Sequence, residues 1–325
     1  MFRICLALVL TACGSETGLG AELDPGLGLE YPPSPDLTPA EHEDVFAQIL
    51  AEKADVLFVV DNSGSMRDEQ ARLGDNFPRF LDALLASGAD FHIGVVSTDM
   101  YDPRHAGSLR PAGGERWLAP ESERPEVRFA NMVDLGIDGA NDERGRAAVY
   151  TALELRAEER NAGFLREDAD LHVMVFSDEE DESGGAPVSQ GEFVDYLKSL
   201  KAPPHRVTFS SVVGPEDPPP FCNAEHGTEY LGVTRSVGGF VGSICDEDWA
   251  PLLDELGLLA SGLLRVFPLS ETPIVASLRV QLEADLGVED LPPEAWAYDA
   301  GGNTVALEEA PAPGSLIRVR YRVAE

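Results

Sequence analysis

The stretch LFVVDNSGSMRDEQ, residues 57–70, joins an unbroken apolar run to a polar turn and then to a helix-compatible segment. The run begins earlier, in ADVLFVV, and suits a central strand covered on both faces, because Val56 to Val60 are apolar at every position. It ends on Asp61. Ser63 and Ser65 follow at alternate positions, so in an extended turn all three side chains project toward one point. Gly64 is expected to relieve crowding where the backbone approaches an ion. Hard oxygens converging in this way suit Mg²⁺ or Mn²⁺, with Ca²⁺ a further candidate and water completing the shell. A competing reading has Ser63 or Ser65 merely capping a helix that starts near Met66, with Asp68 and Glu69 in its first turn.

Working outward, strand-like runs recur at 91–98, 171–177, 206–214 and 238–245. Amphipathic stretches lie between or after them, around Phe77–Leu85, Glu143–Leu155, Glu192–Leu200 and Trp249–Leu264. This alternation predicts an α/β fold, a doubly wound and mostly parallel sheet. Residues 99–134, rich in Pro, Gly and Arg, read as an elaborated hairpin or long loop. Ahead of the first strand, AEHEDVFAQILAEK places Val45, Phe46, Ile49 and Leu50 at helical spacing. From Phe267 onward SLRVQLE, EAWAYDAGG, NTVALEE and SLIRVRYRV predict a small C-terminal β module.

Ligands of parallel sheets bind at the carboxyl ends of strands, so a second carboxylate belongs at a neighbouring strand end. HVMVFSDEEDES supplies Asp178 there. DNSGSM followed by a later strand ending in an aspartate resembles the von Willebrand factor A domain and its metal-ion-dependent adhesion site, over roughly residues 54–264. VLFVVDNSGSM, NFPRFL, FHIGVVSTDM, NAGFLREDADLHVMVFSDEEDES, VVGP and GGFVGSICDEDW look like secreted bacterial lipoproteins carrying this domain. The resemblance implies metal ligation by Asp61, Ser63, Ser65 and Asp178. The family has a threonine in a loop between the two strands, where LGIDGANDERG offers Ile137, a residue that cannot coordinate. Asp138 or another oxygen of that loop replaces it, or the other ligands and water suffice, or the site is weak or empty. The remaining acids of SDEEDES read as a solvated loop, and the six histidines show no short metal-binding spacing.

The N-terminal MFRICLALVLTACGS has one positive residue, a short apolar run and small residues, the pattern of an export signal. Leu10 to Cys13 resembles a bacterial lipoprotein box, which implies cleavage before Cys13 and diacylglycerol on its thiol. Gly14 after Cys13 lacks the aspartate associated with inner-membrane retention, pointing to a lipid anchor in the outer membrane. The expected organisation is therefore a signal at 1–12, a flexible Gly- and Pro-rich tether at 13–39, the von Willebrand A-like domain at 40–265 and the β module at 266–325. Export also leaves Cys222 and Cys245 as two thiols in an oxidising compartment, an expected disulfide across the sheet's carboxyl edge.

Lys and Arg total 24 against 58 Asp and Glu, so a formal charge of -34 repels nucleic acid. No catalytic set is assembled: Ser63 stands where an aspartyl phosphatase would place a second Asp, and no G-x-S-x-G turn occurs. The leading expectation is a non-enzymatic, membrane-tethered protein that captures an Asp or Glu of a protein partner through a divalent ion. An envelope scaffold with a metal-free site and a metal-dependent hydrolase are the rivals.

Overall fold

The computed structural model describes residues 41–203, 205–284 and 287–323. The signal at 1–12, the lipidated Cys13 and the tether at 13–39 lie outside the described residues.

The apolar run around Val59 forms β2 (Lys53–Val60), the middle of a parallel sheet; the strand before it, β1 (Glu41–Ala47), belongs elsewhere. β2 lies between β3 (Asp90–Ser97) and β4 (Asp170–Phe176). Outside β4 come β5 (Val207–Val213) and the short β6 (Val241–Ser243), giving the order β3-β2-β4-β5-β6. Alternate residues of β2 divide between two cores: Val56, Phe58 and Val60 enter one, Leu57 and Val59 the other. Burial on both faces is why the strand lacks polar alternation.

Helices α1 (Arg67–Ser87), α2 (Pro125–Val133) and α6 (Ala250–Ala260) cover the first face. The second is covered by α3 (Gly145–Tyr150), which runs into a π-helical turn at Thr151–Leu155, with α4 (Gln190–Ser199) and α5 (Thr228–Val237). The α/β expectation is met. Segment 99–134 departs from its reading as loop, because it contains α2, whose Phe129 stacks on Phe77 of α1. It also braces the edge of β3 through an antiparallel bridge between Ile93 and Leu118, hydrogen-bonded both ways at 2.9 and 2.8 Å.

The C-terminal segment forms two antiparallel sheets. One has the order β1-β12-β8-β9, with β8 (Arg279–Ala284), β9 (Gly287–Asp290) and β12 (Leu316–Arg322). The other pairs β10 (Trp296–Asp299) and β11 (Thr304–Leu307) with β7 (Val266–Pro268). Between them Phe267, Val280, Val305, Ile317 and Val319 form a separate core.

The helical reading of residues 40–53 is corrected here. Glu41–Ala47 is extended and pairs residue for residue with β12, exposing alternate side chains; Val45 and Ile49, expected on a buried helical stripe, are 46% and 64% exposed. The edge of β12 satisfies the backbone of this segment, while Phe46 packs on Phe267 at 5.1 Å and Glu43 pairs with Arg320 at 2.9 Å. Where the chain passes from β1 to β2, buried Gln48 accepts from the Leu264 amide at 2.8 Å and donates to its carbonyl. That clamp joins the two crossings between the sheets.

Candidate functional site

Successive connections leave β2 and β4 toward opposite faces of the sheet, so their carboxyl ends open a crevice at the topological switch point. Parallel pairing aligns Val60 with Phe176 on one side and with Ser97 on the other. The residues that follow these strands, Asp61, Ser177 and Thr98, therefore share one edge.

Asp61 is buried, and its carboxylate accepts from the Ser63 amide at 2.7 Å and from the Ser177 hydroxyl at 2.7 Å. Ser63 Oγ lies 3.1 Å from Ser65 Oγ, and Ser65 Oγ donates to Asp178 at 3.1 Å. The structure thus brings Asp61, Ser63, Ser65 and Asp178 together. Neither serine side chain caps α1, whose N-terminus has no side-chain cap. Gly64 is exposed, and an added Cβ would meet no protein atom within 4 Å, so no protein group demands glycine there.

The loop carrying Ile137 docks by its backbone. Gly139 donates to the Asn62 carbonyl at 3.0 Å, so close that a Cβ on Gly139 would sit 2.7 Å from that oxygen. Gln70 reaches the Gly136 carbonyl at 3.0 Å and the Asp61 carbonyl at 3.0 Å. Asp138, the candidate replacement ligand, is exposed, with no side-chain hydrogen bond or ion pair among the described residues. Glu143, further along, is the acid the sequence reading missed. It is fully buried, one carboxylate oxygen accepts from the Thr98 hydroxyl, and the other, Oε1, has no partner. Its carbonyl is tied to the Glu182 amide at 2.7 Å, which locks this loop to the one after β4. The only local signal was an acid two residues ahead of Gly145, where α3 opens.

The electrostatics are those of crowded, uncompensated carboxylates. Burial, with the Asp61 charge next, pushes Glu143 well above the ordinary glutamate range. Burial raises Asp61 too; hydrogen bonds from Ser177 and Ser63 oppose the rise and the Asp178 charge adds to it. Burial likewise raises Asp178, and Glu179 is pushed up to about 7 by burial and then by Asp61 and Asp178. Among the described residues none of these four has a Lys, Arg or His nitrogen within 4.0 Å. Asp181 differs: it is buried against Arg146, so the acidic run after β4 is partly structural rather than a solvated loop. The side chains of Asp61, Ser63, Ser65 and Asp178 offer only hard oxygens, a donor type that fits a divalent cation, and Glu143 adds a buried carboxylate oxygen without a partner.

Cys222 and Cys245 form the expected disulfide, with Cα atoms 5.6 Å apart, beside this crevice. The loop it closes is tied to the site, since the Glu225 amide donates to the Asp178 carbonyl at 2.8 Å. His92 and His172 serve the sheet, bonding the Phe164 carbonyl and Thr208 hydroxyl at 2.9 Å each.

Comparison with protein-family models and with curated proteins gives no match. Among solved structures, a von Willebrand factor type A protein from Catenulispora acidiphila is similar at TM-score 0.44 and 16% identity, over 88% of this chain and 66% of that one. The α/β unit has a parallel sheet with helices on both faces, the doubly wound architecture that the resemblance implied. The pilus adhesin SpaC of Lactobacillus rhamnosus GG is similar to this chain at TM-score 0.39 and 10% identity, over 88% and 41% of the two chains. The pilus adhesin RrgA of Streptococcus pneumoniae follows at 0.33 and 9%, over 88% and 59%. This chain spans less than two thirds of each of these neighbours, and at such TM-scores the functional argument rests on the site alone.

Proposed function

We propose that the von Willebrand A-like unit binds a divalent cation, Mg²⁺ or Mn²⁺ ahead of Ca²⁺, and through it an acidic group of a protein partner. One observation carries the reading: Asp61, Ser63, Ser65 and Asp178 converge at the switch point with no Lys, Arg or His among the described residues paired to them. Glu143 supplies the third-loop oxygen in place of Ile137, and Asp138 contributes nothing directly. Held neutral by its surroundings, Glu143 leaves two charged carboxylates, which a dication balances while keeping an open position for an incoming anion. Without the ion this acidic edge would repel an acidic partner. Among the described residues no set of nucleophile, base and oxyanion donors supports hydrolysis.

We further propose that the chain is exported and lipid-anchored through Cys13 in the outer membrane of a bacterial envelope, the tether holding the binding unit away from the lipid. No helix among the described residues is long and apolar enough to cross a membrane.

Calorimetric titration of metal-free protein with Mg²⁺, Mn²⁺ and Ca²⁺ tests the site, with Asp61→Asn as control. Saturable one-site heats that vanish in the variant are expected; equal heats in both proteins sink the reading and favour the metal-free scaffold. Retention of poly-L-aspartate on the immobilised protein should require the ion and be reversed by chelator.

A further inference from the structure

A cavity of about 390 Å³ opens beside the acidic crevice, and its lining has the opposite charge. Arg104, Arg110, Arg116 and Arg160 line it together with His105. In a chain with 24 basic residues against 58 acidic ones, an arginine should find a carboxylate easily, and many do. Arg146 pairs with Asp181, Arg166 with Asp55, Arg265 with Glu255 and Arg318 with Glu283. In the cavity only Arg104 is paired, with Asp102. Arg110, Arg116 and Arg160 have no carboxylate within 4.0 Å among the described residues, and Arg160 reaches only the Pro103 carbonyl and the Ser108 hydroxyl, each at 3.5 Å.

The walls are anchored. The Arg110 amide donates to Val95 of β3 at 2.8 Å. Buried Asn161, next to Arg160, accepts from the Leu109 amide at 3.0 Å and donates to the Gly107 carbonyl at 2.8 Å. Guanidinium groups that line one cavity without carboxylate partners keep their forked donors free for an incoming oxyanion. One fork satisfies a carboxylate; several forks call for a dianion with three terminal oxygens. The volume falls within the range of about 300–1,000 Å³ usual for small-molecule sites. A net charge of -34 repels long polyanions but not a small one held in a local positive field.

We propose that this cavity binds a phosphate monoester of a small molecule of about sugar size. The site shares structure with the metal crevice, since Ser97 of its lining donates to Asn62 at 2.6 Å, but it does not depend on a bound ion.

The test is calorimetric titration of the metal-free full chain at low salt with inorganic phosphate, glucose 6-phosphate and glucuronate. One-to-one saturation by glucose 6-phosphate is expected, with glucuronate at least tenfold weaker and affinity falling as salt is added. The double variant Arg110→Gln, Arg160→Gln should weaken binding at least tenfold, and Arg116→Gln, a single exposed change, by a few-fold, with unchanged thermal midpoints. Asp61→Asn should bind as wild type, which separates this site from the metal reading. Absence of saturation, or equal affinity in wild type and both variants, overturns the proposal. So does tighter binding of glucuronate, or association only with phosphatidylglycerol vesicles.

Discussion

Asp55 and Asp61 stand at opposite ends of β2; both are fully buried, and burial raises the carboxyl of each. Their surroundings differ. Asp55 receives Arg166 through its guanidinium at 2.7 Å and its amide at 2.6 Å, with Lys201 at 3.7 Å, whereas Asp61 has hydroxyl and amide donors and only other acids for charged neighbours. A buried carboxylate supplied with protein cations holds a structure together; one gathered with like charges and left without them is prepared for a cation from outside.

Four experiments test that contrast. The largest effect is expected at the paired end: Asp55→Ala takes the buried carboxylate from Lys201 and from Arg166, which keeps only the exposed Asp90 at 2.9 Å, and should cost about 3–5 kcal/mol of stability by urea unfolding. A loss below about 1 kcal/mol would show that water screens the cluster. At the other end Asp61→Asn should leave metal-free stability within about 1 kcal/mol of wild type but lower Mn²⁺ affinity at least 100-fold, about 2.7 kcal/mol. An equal loss of stability at both ends would erase the distinction.

The third experiment uses pH. Asp61, Glu143 and Glu179 hold protons more tightly folded than unfolded, so the metal-free protein loses their contributions as pH rises from the ordinary carboxylate range through about 6 for Asp61, about 7 for Glu179 and about 9 for Glu143. Ion binding must displace the Asp61 proton while Glu143 keeps its own, so Mn²⁺ affinity should rise about tenfold between pH 6 and 8, with proton release visible in buffers of different ionisation enthalpy. A flat profile would place the ion away from these groups. The smallest effect is expected for Glu143→Gln, which mimics the neutral carboxyl: stability within about 0.5 kcal/mol and Mn²⁺ affinity within about tenfold. A much larger loss of affinity would mean that Glu143 ionises to bind.

Local pattern sufficed where burial is written into neighbouring residues. The runs of β2 to β5 were legible because both faces of a central parallel strand are apolar, and Asp61 and Asp178 because each directly follows such a run. β1 was misread because seven residues with Val45 and Phe46 side by side fit either period, and only the edge of β12 chose between them. Glu143 escaped notice because its partner Thr98, the loop after β4 that ties its backbone, and the Asp61 charge that helps to raise its carboxyl are none of them near it in the chain.

By itself, then, the sequence determined the α/β class, the acidic balance, the Asp61–Ser63–Ser65 motif with its partner Asp178, and the pairing of Cys222 with Cys245. Only the tertiary structure decided that the first strand closes the C-terminal sheet, that Glu143 rather than Asp138 turns inward, and that arginines from separate loops meet in one cavity. The physical reason is range: periodicity and strand ends are properties of a few consecutive residues, whereas desolvation and charge depend on groups the chain brings together only on folding.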